Sequence, residues 1–389
     1  MRLLIAGMFG PGNFGDELFA RVVTEAIAAD GRFAPPLVLT TDEEVTARSA
    51  PGAEAVAASA LAVQARHTSR LRERLESLDY VLIGGGALFG EAFLRTSVVQ
   101  TAAIAALAYR FGVPYGFHGL GIDGLRSDIN RYLASWTLRH AHQVVCRSDV
   151  DLHAAKSFGA DNAELGVDLN HAWLRRNARD DGASDKLNTR LTVNLQHALS
   201  SRDAGLVSIL RTYREDGFRI HWVAANPTAL KVAERLYVFR GDTTEVCRTV
   251  DSEAAALRCS SHYLTQRFHH TIAALHSRGT VVTIISSTKV STLIRQLREA
   301  GVQVETLRRN EGEDDIVRIP YSAARDRLTA GWADAAREQL KGVLGAALSA
   351  RPRSTPSALE RTAPIVVMNA VFAAQYLLDR VRPLGYQGV

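Results

Sequence analysis

Short apolar runs alternate along this chain with longer stretches whose apolar residues recur every three or four positions. The alternation passes through the chain twice. In the first pass, runs at 3–6, 36–40, 79–83, 114–118, 143–146 and 163–166 predict strands. Helix-period patterns at 16–29, 71–77, 101–111, 129–140 and 149–158 fall between them. In the second pass, 191–195, 219–223, 263–266 and 281–285 predict strands and 302–306 an edge strand, with helices at 204–216, 230–238, 268–277 and 290–300. Continuously apolar strands separated by helices imply parallel sheets covered on both faces. The expected fold is therefore α/β: two Rossmann-like, doubly wound domains facing a cleft.

The stretch between the two passes is polar and aperiodic and reads as a linker. The expected boundaries are a first domain over 1–175, a linker over 176–190, a second domain over 191–345 and a helical tail over 346–389. A long helix at 324–348, a Pro-rich break at 351–356 and an amphipathic helix at 365–381 make up the C-terminal region. In open α/β sheets ligands bind beyond the carboxyl ends of the strands. With two such sheets facing each other, the site belongs in the cleft.

Composition narrows the class. Hydrophobic residues are 47% and charged residues 22%, the balance of a globular protein. The net charge of +5 is mild, and its Lys and Arg are scattered, so no nucleic-acid footprint is read. Cys146, Cys247 and Cys259 form no CxxC pair, which argues against a disulfide framework or a zinc site and fits a reducing, cytoplasmic setting. The apolar N-terminus is too short for a signal peptide and reads as a buried first strand. No apolar run approaches the roughly 20 residues of a membrane span; the longest, 365–378, carries Asn369 and Gln375. Its apolar face could dock on the N-terminal lobe or on a second copy, so a homo-oligomer stays open.

Several motifs sit at strand ends. Gly10-Pro11-Gly12-Asn13-Phe14-Gly15-Asp16-Glu17 matches G-x-G-x-x-G. Asp16 and Glu17, however, place two carboxylates where a pyrophosphate would sit, and this weighs against a nicotinamide or flavin cofactor. The segment is either a tight turn with Asp16 as a cap or a loop lining the cleft, with Asn13 offering directed hydrogen bonds. Gly84-Gly85-Gly86 removes every Cβ where the backbone meets the cleft, which suits a ligand-facing loop built on Gly85 and Gly86. His118 is a catalytic group or a core histidine. Arg147 leaves a strand end, where it meets an anion or pairs with Asp149 or Asp151. Asp168 binds an acceptor hydroxyl or caps a turn.

The most telling set is Arg267, His269 and Lys289. Arg forks onto carboxylate or phosphate, and a histidine can move protons near neutral pH. His269 opens a helix, whose N–H groups also favour an anion, and Lys289 follows the next strand. His270 is expected to turn into helix packing. Such a set suits a small, doubly charged anion.

Taken in order, these motifs resemble the polysaccharide pyruvyl transferase family. The resemblance rests on Asn13-Phe14-Gly15-Asp16-Glu17, Gly84-Gly85-Gly86-Ala87-Leu88-Phe89, Gly119-Leu120-Gly121, Arg147-Ser148-Asp149, Asp168-Leu169, and Arg267-Phe268-His269 leading to Lys289. It implies a fold like the two-lobed GT-B glycosyltransferases, and transfer of pyruvate from phosphoenolpyruvate, as co-substrate, to two hydroxyls of a sugar-type acceptor. The product would be a cyclic ketal, with no required metal or further cofactor. Arg267 and Lys289 would hold phosphate and carboxylate, with Arg147 assisting, and His269 would protonate the methylene carbon. The chain departs from the family pattern at Asn194-Leu195-Gln196-His197 and at Ala224-Ala225-Asn226-Pro227, which leaves the acceptor open. Two alternatives stand beside this reading. One is a glycosyltransferase using a nucleotide sugar, with Glu311, Glu313, Asp314 or Asp315 as ribose ligands; the other is a non-catalytic sugar-phosphate binder.

Overall fold

A computed structural model of the chain describes residues 1–57, 77–90, 96–177, 189–195, 204–224, 227–236, 238–258, 260–308 and 315–351. The expected helices at 71–77 (all but Ser77) and 365–381, linker residues 178–188, the Pro-rich break beyond Arg351, and Gln196, Asn226, Cys259, Glu311, Glu313 and Asp314 lie outside these residues.

The first lobe winds β1 (Leu3–Phe9), α1 (Phe14–Ala29), β2 (Leu37–Thr40), α2 (Glu43–Ser49), β3 (Glu54–Ala57), β4 (Tyr80–Gly90), α3 (Thr96–Arg110), β5 (Tyr115–Asp123), α4 (Asp128–Arg139), β6 (Gln143–Cys146), α5 (Asp149–Ser157), β7 (Ala163–Leu165) and α6 (Asn170–Asn177). Its seven strands lie in the order β3-β2-β1-β4-β5-β6-β7, and every pairing is parallel. The second lobe runs β8 (Arg190–Asn194), α7 (Ala204–Glu215), β9 (Arg219–Ala224), α8 (Pro227–Leu236), β10 (Thr243–Val246), α9 (Val250–Arg258), β11 (His262–Thr265), α10 (Phe268–His276), β12 (Thr280–Ile285), α11 (Thr288–Glu299), β13 (Glu305–Arg308), β14 (Asp315–Ile319) and α12 (Ala323–Ser349). Its order, β10-β9-β8-β11-β12-β14-β13, repeats the winding of the first five strands, with β14 and β13 added antiparallel at one edge. This is the expected pair of Rossmann-like domains in a GT-B arrangement.

The strand at 302–306 is displaced to β13, and β3, β10 and β14 were not read from the sequence. β3 and β10 are four-residue strands at the sheet edges, and β14, between β12 and β13, carries Asp315 and Arg318 beside its apolar residues. Asp315 opens β14 rather than lying in an acidic loop. The glycine segments are a further correction. β4 does not stop at Ile83 but runs through Gly84-Gly85-Gly86 to Gly90, and β5 runs past His118 to Asp123. The two pair with each other over this length, Gly86 with Leu120 and Gly90 with Asp123, across a register shift. Glycine is required here because a Cβ on Gly84 would overlap the Phe19 ring and the His118 carbonyl. The glycines are thus bare strand, not loop.

Each lobe has its own apolar layer on one face. Between them a single cluster joins residues of α1, β1 and α6 to residues of α9, α10 and α11. Helix α12 completes it through Leu340, Val343 and Leu344. This helix follows the second lobe in sequence but packs on α6 of the first. Gln339 Oε1 accepts from the Val167 N–H at 2.8 Å, its Nε2 donates to Val167 O at 3.2 Å, and Arg175 Nη1 meets Asp326 Oδ1 at 2.6 Å. Beneath them His171 Nδ1 lies 2.8 Å from His276 Nε2, so a ring from each lobe meets the other across the junction. Arg325 is fully buried at the start of α12 and donates to the carbonyls of Ile319 (3.1 Å), Ser277 (2.6 Å) and Gly279 (2.8 Å). Among the described residues no helix is long and apolar enough to cross a membrane.

Candidate active site

The strand-end motifs of both lobes converge on one cleft, lined by Ile122, Asp123, Arg147 and Ser148 from the first lobe and by Phe268, Lys289, Thr292 and Gln296 from the second, among others. Its cavity volume is about 40 Å³, and it opens to solvent. Lys289 stands in the first turn of α11, whose N-cap Ser287 accepts from the Val290 N–H. His269 stands in the first turn of α10. Cations are disfavoured at helix N-termini, so neither is placed there for helix stability. The same N-termini favour an arriving anion, and the side chains add to that field.

Arg147 is buried, and its Cζ lies 4.9 Å from the centre of the Phe268 ring, a cation–π contact that bridges the lobes. Its Nη2 has no hydrogen-bond partner among the described residues. Asp151 lies 3.9 Å from its Nε, too far for a hydrogen bond, and is occupied by the Ile122 N–H (2.7 Å) and Ser148 Oγ (2.6 Å). Asp149 pairs with Arg295 instead. A buried guanidinium with an unpaired N–H, on a residue that lines a cleft, is poised for an anion. Gly121 makes room for it: a Cβ there would overlap the guanidinium.

His269 Nε2 lies 3.2 Å from Asp168 Oδ2. Asp168 Oδ1 accepts from the Asn170 N–H at 3.0 Å, and Asn170 Nδ2 donates to Gly15 O at 3.0 Å. Asp168 thus caps the turn, as one of its two readings has it, and also orients a histidine from the other lobe, which neither reading included. The other side of the imidazole rests on Gly15, where a Cβ would overlap Nδ1, Cγ and Cε1. Burial pushes the His269 pKa below its ordinary value; Asp168 pulls it back, while Arg147 and Lys289 reinforce the depression. For Asp168, burial alone would raise the pKa. The hydrogen bond and charge of His269, with His171 and Arg147, outweigh that and hold the carboxyl below its usual range. Each group thus shifts the other, and negative charge arriving beside the pair favours the protonated imidazole.

Burial pushes Lys289 down to about 8, with Arg147 adding to the effect and Asp123, Asp16 and Asp151 opposing it. On the first-lobe side, Asp16 accepts from Asn13 Nδ2, and Glu17 Oε1 accepts from the Gly10 N–H at 2.6 Å. Glu17 thereby takes an N–H that a pyrophosphate would use in a dinucleotide fold. Burial raises both carboxyls to about 7. Gly86, at φ +127°, would put a Cβ 2.8 Å from Asp16 Oδ1. Gly85, at φ +79°, packs on Phe19.

Of the expected residues, Arg147 and Lys289 line this cleft, and His269, Arg267, Asn13, Asp16, Gly85, Gly86, His118 and Asp168 are not in its lining. Arg267 is the N-cap of α10, half-buried, and does not line the cleft with Lys289; Arg147 occupies the place beside Lys289. His118 is fully buried, neither ring nitrogen has a hydrogen bond among the described residues, and burial drives its pKa to about 3. His270 is buried against Phe14 and Glu253, as its helix position implied. Sequence reasoning missed the Asp168–His269 bond, the Phe268 stack and the seats at Gly15 and Gly121. Of these, only the glycines carried a signal, as bare positions beside the charged motifs.

A family model described as polysaccharide pyruvyl transferase matches residues 13–288, from Asn13 at the head of α1 to Thr288 beside Lys289. The chain belongs to the polysaccharide pyruvyl transferase family. It is accordingly a sugar-modifying transferase. Sequence comparison with curated proteins found no match. Among solved structures, the UDP-GlcNAc 2-epimerase of Neisseria meningitidis bound to UDP-GlcNAc superposes with a TM-score of 0.53 at 13% identity, over 89% of this chain and all of that one. The UDP-GlcNAc 2-epimerase of Methanocaldococcus jannaschii in complex with UDP-GlcNAc and UDP gives 0.53 at 11% identity, over 96% and 100%. A putative UDP-N-acetylglucosamine 2-epimerase from Listeria monocytogenes gives 0.51 at 13%, over 100% and 99%. At these identities the likeness establishes the fold of this transferase and no more.

Proposed function

We propose that the chain transfers pyruvate from phosphoenolpyruvate to two hydroxyls of a sugar-type acceptor, forming a cyclic ketal and inorganic phosphate. The observation that supports this reading is a cleft between the lobes lined by buried Arg147 and by Lys289, with the Asp168-bound His269 close enough to feel both charges. Arg147 and Lys289 supply the charge for phosphate and carboxylate, with Arg267 at the neighbouring helix start as a further cation. The incoming negative charge raises the His269 pKa, so protonation accompanies binding. The imidazolium then protonates the methylene carbon of phosphoenolpyruvate, leaving oxocarbenium character on the adjacent carbon. One acceptor hydroxyl bonds to that carbon. The carbon–oxygen bond to phosphate breaks as the second hydroxyl closes the ring, and the second hydroxyl's proton restores the imidazolium. No step calls for a metal.

General acid catalysis of this kind contributes about 10²–10⁴-fold. A His269→Ala variant should lose phosphate release by that factor, followed by ³¹P NMR with a panel of sugar acceptors, while its thermal unfolding stays near that of the parent. Phosphoenolpyruvate at a hundredfold excess over Kd should stabilise the parent by about 2.7 kcal/mol. A near-normal rate in the variant, or stabilisation by a nucleotide sugar with none from phosphoenolpyruvate, overturns the reading.

A further inference from the structure

The transfer just described leaves one proton unassigned. The first hydroxyl to attack must lose its proton, and the departing phosphate must gain one to leave as the hydrogen phosphate dianion. His269 serves the methylene carbon and the second hydroxyl, so another group is needed near the phosphate. Asp16 is buried, and its Oδ1 has no hydrogen-bond partner among the described residues. Its other oxygen is held by Asn13. The bare Cα of Gly86 leaves space beside Oδ1 that any side chain would fill. The charged groups that act on it are Glu17 on its own helix, Lys289 from α11 and Arg147 from the end of β6, the last two being the cations assigned to the donor.

We propose that Asp16 is the proton shuttle of the transfer, taking the proton from the first acceptor hydroxyl and delivering it to the departing phosphate. This rests on the pyruvyl-transfer reading and deepens it. The balance closes. Two hydroxyl protons leave the acceptor; one replaces the proton His269 gave to carbon, and the other passes through Asp16 to phosphate. A carboxyl that serves first as base and then as acid works best with an affinity for protons close to the operating pH, and burial raises this one to about 7.

The experiment compares parent, Asp16→Asn and Asp16→Glu proteins for phosphoenolpyruvate binding by calorimetry and for phosphate release across pH 5–9. Asp16→Asn is expected to bind phosphoenolpyruvate within a few-fold of the parent but to release phosphate about 10²–10⁴-fold more slowly. The fall in parental rate on the acid side, where Asp16 takes up a proton, should vanish from its residual activity. Asp16→Glu should recover part of the rate. A parent whose Asp16→Asn variant keeps its rate and its acid limb overturns the shuttle alone. A parent that releases no phosphate with any acceptor overturns the transfer reading, and the shuttle with it.

Discussion

Replacing Gly15 with alanine adds one methyl group to α1 and should nearly silence the enzyme while leaving it folded. The new Cβ would overlap Nδ1, Cγ and Cε1 of His269, whereas ordinary contact begins at about 3.4 Å. The ring must retreat by more than about 1 Å, and a misplacement of that size costs on the order of 10²-fold in rate. Retreat also breaks the 3.2 Å bond to Asp168, a charge-assisted contact worth about 1.5–3 kcal/mol. Alanine in a helix returns about 0.5–1 kcal/mol over glycine. The net loss, roughly 1–2 kcal/mol, lies well inside a typical stability of about 5–15 kcal/mol. Phosphate release should therefore drop by two or more orders of magnitude, while the thermal midpoint moves by only a few degrees. A Gly15→Ala protein within twofold of the parental rate would refute the placement of His269 against this helix.

Two further outcomes follow from the burial of single cations. Lys289 loses its proton above about 8, so kcat/KM for phosphoenolpyruvate should fall as pH rises through that value. A Lys289→Arg variant, which cannot deprotonate there, should lose the fall centred near 8 in steady-state assays while keeping any at lower pH that belongs to His269; an identical fall near 8 in both would place the titration elsewhere. Arg325→Ala would orphan the carbonyls of Ile319, Ser277 and Gly279 and should cost at least about 1–3 kcal/mol in urea unfolding, with no measurable loss contradicting the network.

The two-lobed fold was legible because parallel strands buried on both faces must be apolar throughout, as β1 and β12 are. Edge strands such as β3 and β10 are four residues long and half-buried or exposed, and β10 is mostly polar, so little in their composition separates them from turns. The charged motifs were legible as residue types at strand ends. Their partners were not, because the bond between Asp168 and His269 spans 101 positions of chain and depends on how the lobes dock. Arg267 shows the limit of spacing arguments. Two positions separate it from His269, yet the first turn of a helix turns their side chains in different directions, and the cation beside Lys289 comes instead from Arg147 on the other lobe.

Helix α12 has a consequence for the integrity of the molecule. Because it leaves the second lobe and clasps α6, severing the peptide between Asn177 and Thr189 would not release two independent halves. The fragments would stay joined through Leu340, Val343 and Leu344 wedged beside Trp173 and Leu174, as a nicked but whole protein. A fragment ending before α12 would instead bare that apolar seam to water, and the amino-terminal portion expressed by itself should clump rather than dissolve.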